Sequence, residues 1–191
     1  VNMPVERLID GKGLDPRYLA MIEPFCIGYH GVLRGGVKKN DKVLVIGAGA
    51  IGTFAALSSQ YMGAKVYVAD IAEEKVRNVV EKYNLDGYIV NTSSEDFMKQ
   101  VMEITNGDGF DVCLEAVGLP STFQNAIDAA AFGGNVGVIG VGKKNLDFNF
   151  TIIQKKELNI FGSRNALRED FEALIDAVNS ILKSGADNIN E

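Results

Sequence analysis

The run Val43-Leu-Val-Ile-Gly47-Ala-Gly-Ala-Ile-Gly52 decides the fold. Its first four residues are apolar and mostly β-branched, which reads as a buried strand, and the glycines behind them read as a turn opening a helix over Ala50–Met62. Each glycine has a separate reason to be there. Gly47 permits the tight turn, Gly49 removes the side chain that would keep a pyrophosphate from the backbone, and Gly52 lets helix and strand pack closely. A helix starting here presents unpaired N–H groups and about half a unit of positive charge to phosphates.

Asp70 ends the next apolar run, eighteen positions after Gly52. Its carboxylate suits both hydroxyls of an adenosine ribose and opposes a 2′-phosphate. Like charges about 4 Å apart at an effective dielectric of 20 cost on the order of 4 kcal/mol, roughly a thousandfold in affinity. The pattern therefore favours NAD over NADP, with Lys75, one helical turn on, as a candidate ribose or adenine neighbour. Two other readings share these residues: a packing turn without ligand, and the turn of a Rossmann-like methyltransferase that binds an adenosyl cofactor.

Outward from the glycine turn, strand-like runs recur at Val66–Ala69, Tyr88–Val90, Phe110–Leu114, Val136–Val141 and Leu158–Phe161. Helix-like stretches with apolar residues at i, i+3, i+4 spacing lie between most of them, at Glu73–Tyr83, Glu95–Thr105 and Thr122–Phe132. This alternation predicts right-handed βαβ units and a parallel sheet; with the glycine turn and Asp70 the expectation is an α/β, doubly wound Rossmann fold, a parallel six-stranded sheet in the order 3-2-1-4-5-6 with helices on both faces. Ser93 or Ser94 is expected to cap the third of these helices, Pro120 to sit in a first turn, and Gly63 to follow the first. Lys143–Lys156 lacks a long apolar stripe and reads as a loop or short irregular connection, with a final helix at Arg168–Lys183. The ends, Val1–Lys12 and Gly185–Glu191, read as loose connections.

Composition bounds the chemistry. The 191 residues carry 19 Lys and Arg against 25 Asp and Glu, a net charge of −6, with no basic cluster to suit nucleic acid or an anionic membrane. Val43–Ala64 is uncharged, but its glycines and polar residues make a poor membrane span. Two widely separated cysteines, Cys26 and Cys113, indicate neither a disulfide framework nor a local zinc knuckle, so a reducing, cytoplasmic setting is expected.

An ordered set of motifs then gives a family likeness. These are Glu23-Pro24-Phe25 leading into Tyr29-His30-Gly31-Val32, Val37-Lys38-Lys39-Asn40-Asp41-Lys42-Val43, the glycine turn, and Asp70. Glu115-Ala116-Val117-Gly118, Gly133-Gly134, Lys156-Glu157-Leu158 and Gly162-Ser163-Arg164-Asn165 follow. From about Leu14 to Lys183 the chain resembles the nucleotide-binding domain of medium-chain zinc-dependent alcohol and polyol dehydrogenases, in their sorbitol, threonine and sugar-acid branch. The resemblance implies hydride transfer from a secondary alcohol to NAD, a zinc ion polarising the alkoxide, and a small-molecule alcohol substrate.

Carried over by position, Gly47, Gly49, Ala50, Ile51 and Gly52 resemble the pyrophosphate turn and Asp70 the ribose acid. Ala116, Val117 and Gly118 resemble the segment beside the adenosine and nicotinamide ribose. Val138, Ile139 and Gly140, ending the fifth strand, come under the nicotinamide, and Ser163, Arg164 and Asn165 resemble the loop closing over that half. Val117 and Ile139 also read as core and Arg164 as a surface cation. The resemblance implies a homodimer through the edge strand near Leu158–Phe161.

Glu23 resembles a carboxylate that approaches the catalytic zinc, here only together with an absent domain. Glu23, Cys26 and His30 share one face of a helix taken to begin at Pro24, yet the Cys and His read as packing residues rather than ligands. The family's zinc-ligand domain has no counterpart in the sequence. Residues 1–14 are therefore expected to link to that domain, 15–185 to form the NAD-binding domain and 186–191 a tail, in a chain that binds cofactor without turnover. A free-standing nucleotide-binding regulatory module is the competing reading.

Overall fold

In the computed structural model, which describes residues 2–91 and 93–187, six parallel strands form one sheet in the order β3-β2-β1-β4-β5-β6. The strands are β1 (Lys42–Ile46), β2 (Lys65–Asp70), β3 (Gly87–Val90), β4 (Phe110–Glu115), β5 (Ala130–Val138) and β6 (Asn159–Gly162). The helices are α1 (Pro16–Arg34), α2 (Ala50–Tyr61), α3 (Glu73–Tyr83), α4 (Ser94–Thr105), α5 (Pro120–Ala129), α6 (Thr151–Lys156) and α7 (Arg168–Asp187). This is the doubly wound Rossmann arrangement that the βα period predicts. None of the described helices is long and apolar enough to cross a membrane.

Alternation along β1 builds two cores at once, because successive side chains of a strand point to opposite faces. Val43 and Val45 enter a cluster with Val66, Val68, Ala55 and Val76. Leu44 and Ile46 enter the opposite one with Phe97, Val101, Phe110 and Ile127. A third cluster, Leu14, Ile22, Cys26, Leu174 and Ile175, fastens α1 to α7. Gly28 allows α1 to approach α2 closely: a Cβ there would stand 2.6 Å from the Ala55 nitrogen.

The local signals behave as their chemistry requires. The Ser93 hydroxyl accepts from the Asp96 N–H and caps α4, while Pro120 occupies the first turn of α5, where an N–H has no helical partner to lose. Gly63 follows α2 with a positive φ of 83°.

The boundaries differ in several places. The first helix begins at Pro16, capped by Asp15, and Pro24 lies inside it rather than at its start. The sequence offers two prolines eight residues apart, and the buried Ile22, Cys26 and Val32 carry the helix through the second. The fifth strand begins at Ala130, straight out of a helix ending at Ala129, and stops at Val138 rather than Val141. The connection before β6 contains the short helix α6, whose Lys156 Nζ donates to the carbonyls of Ile127, Asp128 and Ala130 at 3.1, 3.0 and 2.6 Å. A cation on the last carbonyls of α5 satisfies acceptors that the helix leaves open.

The amino-terminal residues include a 3₁₀ turn, Val5–Arg7, and Arg168 donates to the carbonyls of Glu6 and Leu8 at 2.8 and 2.9 Å. Helix α7 runs through Asp187 rather than ending at Lys183, so residues 185–187 continue the helix instead of starting a loose tail; Val1 of the expected link and residues 188–191 of the expected tail lie outside the described residues.

Candidate nucleotide-binding site

Ile46, the last residue of β1, pairs with Ala69 of β2 on one side and Glu115 of β4 on the other. The glycine turn therefore leaves the sheet between two acidic strand ends, Asp70 and Glu115, at the carboxyl edge where ligands of open α/β sheets bind. Gly47 adopts φ +110°, and its N–H donates to the Ala69 carbonyl at 2.7 Å, which seats the turn. A Cβ on Gly52 would overlap the Gly47 carbonyl oxygen, so helix and strand meet backbone to backbone. Around Gly49, the residue capping α2, a Cβ would find nothing within 4 Å. The open space thus lies at the N-terminus of a twelve-residue helix.

Asp70 is only partly buried. Its Oδ2 accepts from the Ala48 N–H at 2.9 Å, its Oδ1 from the Ala72 N–H at 3.2 Å, and Lys75 Nζ stands 3.5 Å from Oδ2. Burial alone would raise this carboxyl, but the Ala48 and Ala72 amides and the Lys75 cation outweigh it and hold Asp70 below its ordinary value. The acid is fixed to the glycine turn on one oxygen and to the following loop on the other.

On the other flank the carboxyl is closed in. Glu115 is 1% exposed, and its Oε1 accepts from the N–H groups of Val117 and Gly118 at 2.8 and 2.7 Å and from the Thr122 hydroxyl at 2.7 Å. Its main-chain carbonyl accepts from the N–H groups of Ile139 and Gly140 at 2.8 and 3.0 Å. One residue thereby joins the turns that follow β4 and β5. The sequence motif Glu115–Gly118 carries no role for this side chain; the signal for one is an acid closing the strand run at Val112-Cys113-Leu114.

The structure gathers most of the expected site residues at this edge and gives them different parts. Val117 is 42% exposed beside Gly47, whereas Ile139 is 7% exposed and belongs to the core. Ile139 and Gly140 lie beyond the end of β5, in the turn, rather than in the strand. Gly118 has φ +85° and backs directly onto the Val141 main chain. The Ser163 N–H donates to the Val138 carbonyl at 2.8 Å, Arg164 is exposed, and Asn165 takes a positive φ of 55°. The Ser163 hydroxyl is buried without a hydrogen-bond partner among the described residues. Open space at Gly49, Asp70 beside it and an orphaned hydroxyl beyond β6 fit a dinucleotide laid across the sheet edge.

Zinc does not fit the chain's own candidates. Glu23 is exposed on α1, Cys26 is fully buried with its thiol pushed up to about 12 by burial, and His30 Nδ1 lies 2.8 Å from Asp170 Oδ2. Among the described residues no three His, Cys, Asp or Glu side chains come together to hold a metal ion. A cavity of about 460 Å³ lies between α1, α2 and α7, lined by Phe25, Tyr29, Leu57, Tyr61 and Val178, away from the carboxyl ends of the strands.

Similarity to known proteins follows the same outline. A family profile described as zinc-binding dehydrogenase matches residues 50–180. L-galactonate-5-dehydrogenase of Escherichia coli is 34% identical over 171 residues, 90% of this chain and 50% of that protein. L-threonine 3-dehydrogenase of Pyrococcus furiosus is 33% identical over 181 residues, 94% of this chain and 50% of that protein. Among solved structures, the apo form of zinc dependent alcohol dehydrogenase 2 from Streptococcus pneumonia superposes with a TM-score of 0.81 at 27% identity, covering 87% of this chain and 48% of that one. The chain spans about half the length of the curated relatives it matches.

Proposed function

This chain belongs to the zinc-binding dehydrogenase family, and we propose on that premise that it is the NAD-binding half of an alcohol or polyol dehydrogenase. The carrying observation is the empty space at Gly49 beside a partly open Asp70. Gly47, Gly49, Ala50, Ile51 and Gly52 hold the pyrophosphate through backbone N–H groups at the start of α2. Asp70 takes the adenosine ribose hydroxyls with Lys75 alongside, Ala116–Gly118 and Val138–Gly140 shape the floor under the nicotinamide half, and Ser163–Asn165 border it.

NAD would supply a hydride acceptor when bound; the chain's own task is to orient it, and amides and strand ends already fixed by the fold lose little freedom of their own in doing so. In this reading residues 15–185 form the nucleotide-binding domain, zinc and the alcohol are handled beyond these residues, and Glu23 approaches the metal only in that company. Two free, buried cysteines suit a cytoplasmic protein. Among the described residues β6 has a partner strand on one side only, so its outer edge is suited to a homodimer, checked by sedimentation equilibrium; a monomer at every concentration removes that part.

Titration calorimetry tests the nucleotide assignment. NADH binds more tightly than NADPH, by on the order of a thousandfold if the 2′-phosphate comes within about 4 Å of Asp70. Equal affinities overturn the role given to Asp70.

A further inference from the structure

Glu115 has a place in the site that its burial conceals. No part of its carboxyl is needed to touch a ligand, yet three hydrogen bonds converge on the single oxygen Oε1, from Val117, Gly118 and Thr122. The turn so held is not free to relax elsewhere. Gly118 sits at φ +85° with the Val141 main chain 2.7 Å from where a Cβ would be, and a Cβ on Gly47 would stand 2.7 Å from Val117 Cγ2. The same residue's carbonyl holds Ile139 and Gly140. A displacement of the Glu115 side chain is therefore passed to the turn beside the glycine loop, while its main-chain carbonyl keeps the turn after β5 in place.

We propose that Glu115 is a positioning residue that sets the Val117–Gly118 turn against the nicotinamide half of the dinucleotide, acting by the reach of one oxygen rather than by its charge. This rests on the NAD-binding reading above. It separates the two acids flanking β1: Asp70 meets the adenosine half directly, while Glu115 acts on the other half through main-chain amides.

Reach and charge are separated by two variants. Glu115→Gln keeps an oxygen at the same distance without the charge; Glu115→Asp keeps the charge but withdraws the oxygen by one methylene. Binding of NADH and of AMP, which has only the adenosine half, is measured for each, with amide hydrogen exchange at Val117 and Gly118 and the melting temperature. The unaltered chain binds both nucleotides. Glu115→Asp weakens NADH about tenfold, leaves AMP within about twofold, and speeds exchange at the two amides; Glu115→Gln stays within about threefold of the unaltered chain for both.

The proposal is overturned if Glu115→Asp binds NADH at full strength, if AMP weakens as much as NADH, or if Glu115→Gln is as weak as Glu115→Asp. A chain that binds no NADH before any substitution overturns the NAD-binding reading itself, a failure visible without the variants.

Discussion

The turn after β1 and the turn after β4 lie side by side on one sheet edge, and they are built in opposite ways. After β1 the backbone is folded around empty space: Gly49 has no neighbour where a side chain would go, and Asp70 keeps part of its carboxyl accessible. After β4 the backbone is folded onto itself, with Gly118 against Val141, Gly140 against Gly118 and Glu115 closed beneath both. Both turns use glycine and a strand-end acid. At Gly49 the small residue leaves open space, whereas at Gly118 and Gly140, as at Gly47 and Gly52, it makes room for the chain itself.

The largest effect that tests this contrast is a matched pair of alanines. Gly118→Ala places a Cβ 2.7 Å from the Val141 main chain at a backbone angle that side chains rarely adopt, and it should destabilise the fold by roughly 3 kcal/mol. Gly49→Ala meets nothing and keeps an ordinary φ of −77°, so only the poorer N-cap of α2 weighs against it, a loss of about 1 kcal/mol or less. Chemical denaturation reads both. The same Gly49→Ala variant should bind NADH about tenfold or more weakly, since its methyl occupies the approach to the helix N-terminus. A Gly49→Ala as destabilised as Gly118→Ala, or a neutral Gly118→Ala, would erase the distinction between the two turns.

The open turn was legible in the sequence and the closed one was not, for a physical reason. At the first, Val43–Ile46, the three glycines and Asp70 are each required by local geometry or by a ligand of known shape, so spacing along the chain is enough. The parallel sheet follows from the βα period, and its order from the Rossmann class that the glycine turn and Asp70 mark. At the second, Glu115 is bound to Val117, Gly118 and Thr122, but the value of that contact depends on Val141 and Gly140 returning from β5, a pairing across the sheet. The direct joint between α5 and β5 at Ala129 and Ala130 escaped for a related reason. Alanine is the strongest helix former, so Ala129, Ala130 and Ala131 read as a continuing helix, and it is the carbonyls held by Lys156 that mark where the helix stops. Pro24 misled in the other direction, since a proline inside a helix costs one hydrogen bond, and packing of α1 against α2 and α7 outweighs it.

The smallest effect concerns acid, and it falls on the open turn. Asp70 is held below its ordinary value of 3.8 because Ala48, Ala72 and Lys75 together outweigh the burial that acts in the other direction. A carboxyl whose folded value is depressed contributes stability that is fully present above the unfolded value and is lost as pH falls through the folded one. The contribution of Asp70 should therefore persist near neutrality and disappear below about pH 3.8. Asp70→Asn keeps an oxygen for one amide but does not titrate. Urea midpoints measured from neutral pH downward should then fall more steeply for the unaltered chain than for Asp70→Asn, and the two curves should converge in acid. Parallel curves would mean that the Ala48 and Ala72 contacts do not depend on the charge of Asp70. The acid would then be a hydrogen-bonding prop like Glu115, and the contrast between the two strand ends would rest on empty space alone.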